Sequence, residues 1–136
     1  MKAFLSSPYR SHCCFSTYGP AAPINDAMRA LLRLSHKLRP IMCVDDVKGC
    51  DVPCVWSPLI EGDIMRATGE LESEGEALDW CLYVLEARGF SHLIVCSDDT
   101  IPRAPGYGRN GCDAEVSRAL GLGMVVLRET EFLDEN

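Results

Sequence analysis

The sequence predicts a single α/β domain, a three-layer sandwich built on a parallel sheet of four to five strands. Three observations predict it. Short apolar runs alternate with helix-patterned segments along the whole chain, as in successive strand–helix–strand units. The run Leu93-Ile94-Val95-Cys96 is apolar throughout, as expected of a strand covered on both faces. A chain of 136 residues with 47% hydrophobic and 24% charged side chains suits one core of ordinary composition. That composition excludes disorder, collagen-like repetition and low-complexity architecture, and no internal repeat is visible.

The first strand is read at Lys2–Ser6, ending at Ser7-Pro8. Residues 10–23 are rich in Ser, Thr, Gly and Pro and read as a loop. Asn25 is placed as the cap of a helix running to about Leu38, because Ala27, Leu31, Leu34 and Leu38 share one face. Pro40 closes that segment, and Ile41–Val44 reads as the second strand. Residues 45–54 carry turn residues and read as an insertion. Val55–Ile60 is placed in extended structure, and the acidic stretch from Glu61 to Glu76 as a solvated segment with helical turns. A stripe of Ala77, Leu78, Cys81, Leu82 and Leu85 predicts a helix capped by Gly89. After the strand at 93–96 comes a long loop, a helix from about Gly111 to Leu120, and a last strand at Met124–Leu127. The acidic tail ETEFLDEN is expected to fray.

Charge and cysteine content narrow the function classes. Thirteen Lys and Arg against twenty Asp and Glu leave a net charge of −7, which argues against nucleic-acid binding, since that leans on phosphate neutralisation. Ten of the thirteen cations are Arg, suited to bidentate contacts with a small anionic ligand. No apolar run reaches the ~18–20 residues of a membrane span. The opening MKAFLSSPYR is too short for a signal-peptide core, so a cytoplasmic location with eight reduced cysteines is the expectation, Cys81 and Cys96 lying in the core.

In an open parallel sheet, ligands bind beyond the carboxyl ends of the strands. Three segments converge there: Ser6–Arg10, Ser57–Asp63 and Ser97–Glu115. The third leads into a helix N-terminus, whose free N–H groups attract anions, and Glu115 lies about one turn inside it. A carboxylate so placed can attack a sugar C1′ or stabilise an oxocarbenium ion. Gly106-Tyr107-Gly108-Arg109-Asn110-Gly111 fits G-x-G-x-x-G, but nine residues separate it from Cys96 and the strand comes late in the chain, so no dinucleotide cofactor is inferred. Cys43, Cys50 and Cys54 have the spacing C-x6-C-x3-C, which is not a common zinc pattern, and no metal is assigned.

With these residues in place, the chain resembles the nucleoside 2-deoxyribosyltransferase-like superfamily, particularly its short, uncharacterised phage and bacterial members. Phe4-Leu5-Ser6-Ser7-Pro8-Tyr9 is similar to that group's first strand and turn, Trp56-Ser57-Pro58-Leu59-Ile60 to its second-strand exit, and Trp80 through Cys96 to its third unit. Pro105-Gly106-Tyr107, Asn110-Gly111-Cys112 and Glu115 resemble the P-G-W…S-x-G…E signature. The resemblance covers nearly the whole chain apart from residues 45–54. It implies a flavodoxin- or Rossmann-like winding and an N-glycosidase or deoxyribosyltransferase acting on a nucleoside or nucleoside 5′-monophosphate without a cofactor.

The same resemblance implies the roles. Glu115 is the nucleophile, Tyr9 frames the sugar beside it, and Ser6 and Ser7 line the site. Arg109, Asn110, Gly111 and Cys112 hold a phosphate, and Tyr107 or Trp80 stacks on the base. The family's second acid falls at Val84, with Asp79 the nearest acid on that helix, so the role passes to the loop acids Asp98 or Asp99. His92 stands where an Asp often opens the third strand, and Arg109 or Asn110 where the signature has Ser. Homo-oligomers in which one subunit completes its neighbour's pocket are also implied. The alternative is a nucleotide-binding module that kept the pocket and lost turnover, or a host-directed interaction protein.

Overall fold

The computed structural model describes residues 1–7, 19–70, 74–96 and 110–134. Five strands form one all-parallel sheet: β1 (Lys2–Ser6), β2 (Arg39–Ile41), β3 (Cys54–Trp56), β4 (His92–Val95) and β5 (Val125–Arg128), in the spatial order β2-β3-β1-β4-β5. Among the described residues five α-helices cover it: α1 (Ala21–Leu34), α2 (Pro58–Ala67), α3 (Glu74–Ala87), α4 (Asn110–Gly121) and α5 (Glu129–Asp134). The expected three-layer α/β sandwich is therefore the observed one. No described helix is long and apolar enough to cross a membrane.

β1 is the central strand, and its alternation builds both cores. Ala3 and Leu5 face a layer formed by Ala27, Ala30, Leu31 and Leu34 of α1 with Phe132 of α5. Phe4 faces the other way, against Val84 and Leu85 of α3 and Ala119 of α4. The register sets Phe4 between Trp56 and Leu93. Phe4 meets Trp56 and Phe90 edge-on, each at 5.5 Å between ring centroids, and Trp56 meets Trp80 in the same way at 5.5 Å. These quadrupole-matched pairs add to the area the rings bury.

Several boundaries differ from the sequence reading. α1 begins at Ala21, four residues before the expected cap Asn25, because Pro20 holds φ −63° and its carbonyl accepts from Ile24 N–H at 3.1 Å. It stops at Leu34, yet Leu38 stays buried, since Lys37 and Leu38 N–H both bond the Leu34 carbonyl. β2 is Arg39–Ile41 rather than 41–44, set by the ladder that pairs Arg39 with Cys54 and Ile41 with Trp56. Pro40 is tolerated there because β2 is an edge strand. Residues 45–54 are packed, not merely inserted: a 3-10 turn at Val44–Asp46 leads into Val47, and both valines are buried in the Phe4 layer.

The segment expected to be extended to Ile60 leaves the sheet after Trp56. Pro58, at the first helical position where its missing N–H costs nothing, starts α2. Nor do residues 129–134 of the tail fray. They form α5, with Glu129 and Phe132 buried, because Arg33 of α1 grips Glu129 with both ends of its guanidinium, at 2.5 and 3.0 Å. Gly89 and Gly123, at φ +76° and +75°, supply the left-handed turns that follow α3 and α4.

Candidate functional site

The winding places a crevice. α1, the next described element after β1, packs on one face of the sheet, and α4, the next after β4, packs on the other. In parallel sheets, adjacent strands followed by helices on opposite faces have a crevice between their carboxyl ends, where ligands of such sheets sit, and β1 and β4 are adjacent. Ser6 ends β1 at this point and Cys96 follows β4, its N–H donating to the Ser6 carbonyl at 2.8 Å.

Glu115 reaches Ser6 from α4. Ser6 continues the side of β1 that carries Phe4, the side α4 covers, and its hydroxyl donates to Glu115 Oε1 at 2.7 Å. Glu115 is only 6% exposed. Burial pushes its carboxyl from an ordinary 4.5 up to about 7, against the hydrogen bond from Ser6, which favours the charged form. Cys81 of α3 is the next neighbour: burial first, and then the Glu115 carboxylate, push its thiol well above the usual range, with Arg66 of α2 pulling the other way. A carboxyl poised at neutrality in a cleft is the kind of group that serves as nucleophile or proton carrier.

Of the other expected site residues, Ser7 is at the same rim, 7% exposed, and its hydroxyl has no partner. Trp80 is half-buried, edge-on to Trp56, with its ring 3.7 Å from where a Cβ on Gly62 would lie, so it wedges α3 against α2. Asn110, Gly111 and Cys112 form the first turn of α4. Tyr9, Asp98, Tyr107 and Arg109 lie outside the described residues, as does most of the G-x-G-x-x-G run. Val84 is 1% exposed in the core.

Within the segment Ser57–Asp63, which the sequence brings to this rim without assigning roles, the structure singles out two residues. Ser57 caps α2 in extended conformation but makes no capping bond, and its hydroxyl is buried without a partner. Glu61, in the first turn of α2, accepts from Val44 N–H at 2.6 Å and Trp56 Nε1 at 2.8 Å, fixing α2 to the Phe4 layer. Ser-Pro at 57–58 was the signal for that helix start. Cys43 is exposed, Cys50 half-buried and Cys54 buried, and among the described residues no group of three His, Cys, Asp or Glu converges as metal ligands would.

Comparisons with protein-family models, with curated proteins and with solved structures give no significant match.

Proposed function

We propose that this protein cleaves the N-glycosidic bond of a nucleoside or nucleoside 5′-monophosphate, with Glu115 as nucleophile. The observation that carries the reading is the buried Glu115 carboxyl, held on one oxygen by Ser6 at the cleft between β1 and β4. Ser6 engages Oε1, which leaves Oε2 to attack C1′ from a fixed direction. The C1′–N bond breaks as the C1′–O bond to Glu115 forms. The base leaves with the bonding pair and takes a proton from Asp98, Asp99 or water. Water then attacks C1′ and passes its proton to the group that protonated the base. The C1′–O bond to Glu115 breaks to return the carboxylate and the sugar or sugar 5′-phosphate, and an acceptor base in place of water makes the same site a transferase. By the resemblance, Tyr9 frames the sugar, Tyr107 or Trp80 stacks on the base, and Arg109 with the first turn of α4 holds a 5′-phosphate.

Incubation with a panel of nucleosides and 5′-monophosphates, followed by chromatography for free base, tests this. Release is expected from at least one substrate and should fall at least ~100-fold in Glu115→Gln, which keeps the shape and removes the nucleophile. Because the attacking group must be ionised, the rate should climb as pH rises through about 7. Activity that persists in the variant removes Glu115 from the role.

One observation favours a second reading, a nucleotide-binding module without turnover. The place of the family's second acid is taken by Val84, an apolar side chain sealed in the core. Nucleotide-dependent thermal stabilisation without base release would establish that reading.

A further inference from the structure

We propose that the first turn of α2, together with the hydroxyls of Ser7 and Ser57, forms an oxyanion subsite that takes a phosphate group. α2 is ten residues long and begins at the carboxyl end of β3. The opening amides of a helix have no partner within it, and Pro58 contributes none, so Leu59 and Ile60 carry the free N–H groups of this turn. A serine at this position with extended backbone ordinarily turns its oxygen onto those amides. Ser57 has that backbone, φ −114° and ψ 123°, yet forms no such bond. Its hydroxyl, on a residue 2% exposed, bonds nothing, and neither does the hydroxyl of Ser7, the residue that follows the adjoining strand β1.

Two orphaned buried hydroxyls at neighbouring strand ends thus flank a helix terminus whose amides can only donate. Four donors without an acceptor ask for a ligand that presents several acceptor oxygens, and the helix dipole favours one that carries negative charge. Glu61 does not fill this role, because its carboxylate is engaged by Val44 N–H and Trp56 Nε1. By strand alternation Ser7 and Ser57 continue the side of Leu5 and Val55, whereas Ser6 continues the side of Phe4. The subsite is therefore separate from the Ser6–Glu115 contact, and also from the first turn of α4.

The probe is inorganic phosphate, titrated into the full chain and followed by calorimetry and by Tm. Saturable binding is expected, weakened about tenfold in each of Ser57→Ala and Ser7→Ala, the loss of one hydrogen bond to a charged group. Neither variant should lower the Tm of the free protein, since each removes a hydroxyl that bonds nothing. Ser57→Asp should raise that Tm by supplying an anionic cap, and should abolish the phosphate response. A plain capping serine would give the reverse pattern, a lower Tm in Ser57→Ala with phosphate binding untouched. That pattern, or no saturable binding in the unaltered protein, overturns the proposal. Competition between phosphate and a nucleoside 5′-monophosphate would put the substrate's own phosphate on α2, while binding without competition would make it a free anion held beside the substrate. Base release from uncharged nucleosides is read separately, so failure of this subsite and failure of the Glu115 assignment are distinguishable.

Discussion

At neutral pH Glu115 sits near the middle of its own titration, with burial pushing the carboxyl up to about 7 and the Ser6 hydrogen bond holding it from going further. This has a consequence for stability that is independent of any substrate. The folded chain keeps a proton that the unfolded chain releases between pH 4.5 and about 7, so stability is greatest below that window and falls as pH rises through it. A shift of this size corresponds to roughly 3 kcal/mol. Glu115→Gln, which cannot ionise, should therefore be close to the unaltered protein at pH 4.5 and more stable at pH 8, by up to about 3 kcal/mol in urea unfolding. An equal difference at both pH values would mean that the carboxyl is not buried in solution. The fold retains this unfavourable group at a cleft, and Ser7 and Ser57 beside it each cost about 1–3 kcal/mol as buried hydroxyls without partners. Such costs at the carboxyl ends of β1 and β3 are the observation on which both proposals above rest.

Elements differ in how far their sequence announces them. α3 was legible because its apolar stripe has helical period and Gly89 ends it, and β1 and β4 because both are short, continuous apolar runs. Glu115 was legible for a related reason: it falls just inside a helix that follows a buried strand, so the winding alone carries it to the cleft. α5 was not legible, because ETEFLD has no apolar stripe and its stability comes from a partner 96 residues away. Arg33 pairs with Glu129, which is 1% exposed, while Lys37 bonds the Phe132 and Leu133 carbonyls at 3.1 and 3.3 Å and lies over the Phe132 ring. Nor could spacing reveal the orphaned state of Ser7 and Ser57, which depends on what fails to approach them in three dimensions. Arg33→Ala should cost about 2 kcal/mol, since it leaves the buried Glu129 carboxyl without its guanidinium, with Arg33 itself 40% exposed tempering the loss. Limited proteolysis should at the same time show faster cleavage at the C-terminal helix.

At the scale of the molecule, the sheet joins two chemically unlike layers. One is mainly aliphatic with Phe132 at its edge, closed by α1, α2 and α5, and the other is centred on the aromatic rings of Phe4, Trp56, Trp80 and Phe90 beneath α3 and α4. Both of the chain's tryptophans belong to the aromatic layer, so their fluorescence reports that layer, whereas far-UV circular dichroism reports helices on both faces. β1 is shared: Ala3 and Leu5 belong to one layer, Phe4 to the other, and the strand's backbone bonds both β3 and β4. Neither layer can lose its packing on β1 without exposing the strand that the other needs. Fluorescence and circular dichroism should therefore give coincident urea midpoints and one cooperative transition. An α1–α5 layer that peels away first would appear as ellipticity lost before any change in tryptophan emission. In that case the cleft would be a junction between two separately stable halves, and Ser6 and Ser7, consecutive residues facing opposite layers, would no longer hold the Glu115 contact and the α2 subsite in fixed relation.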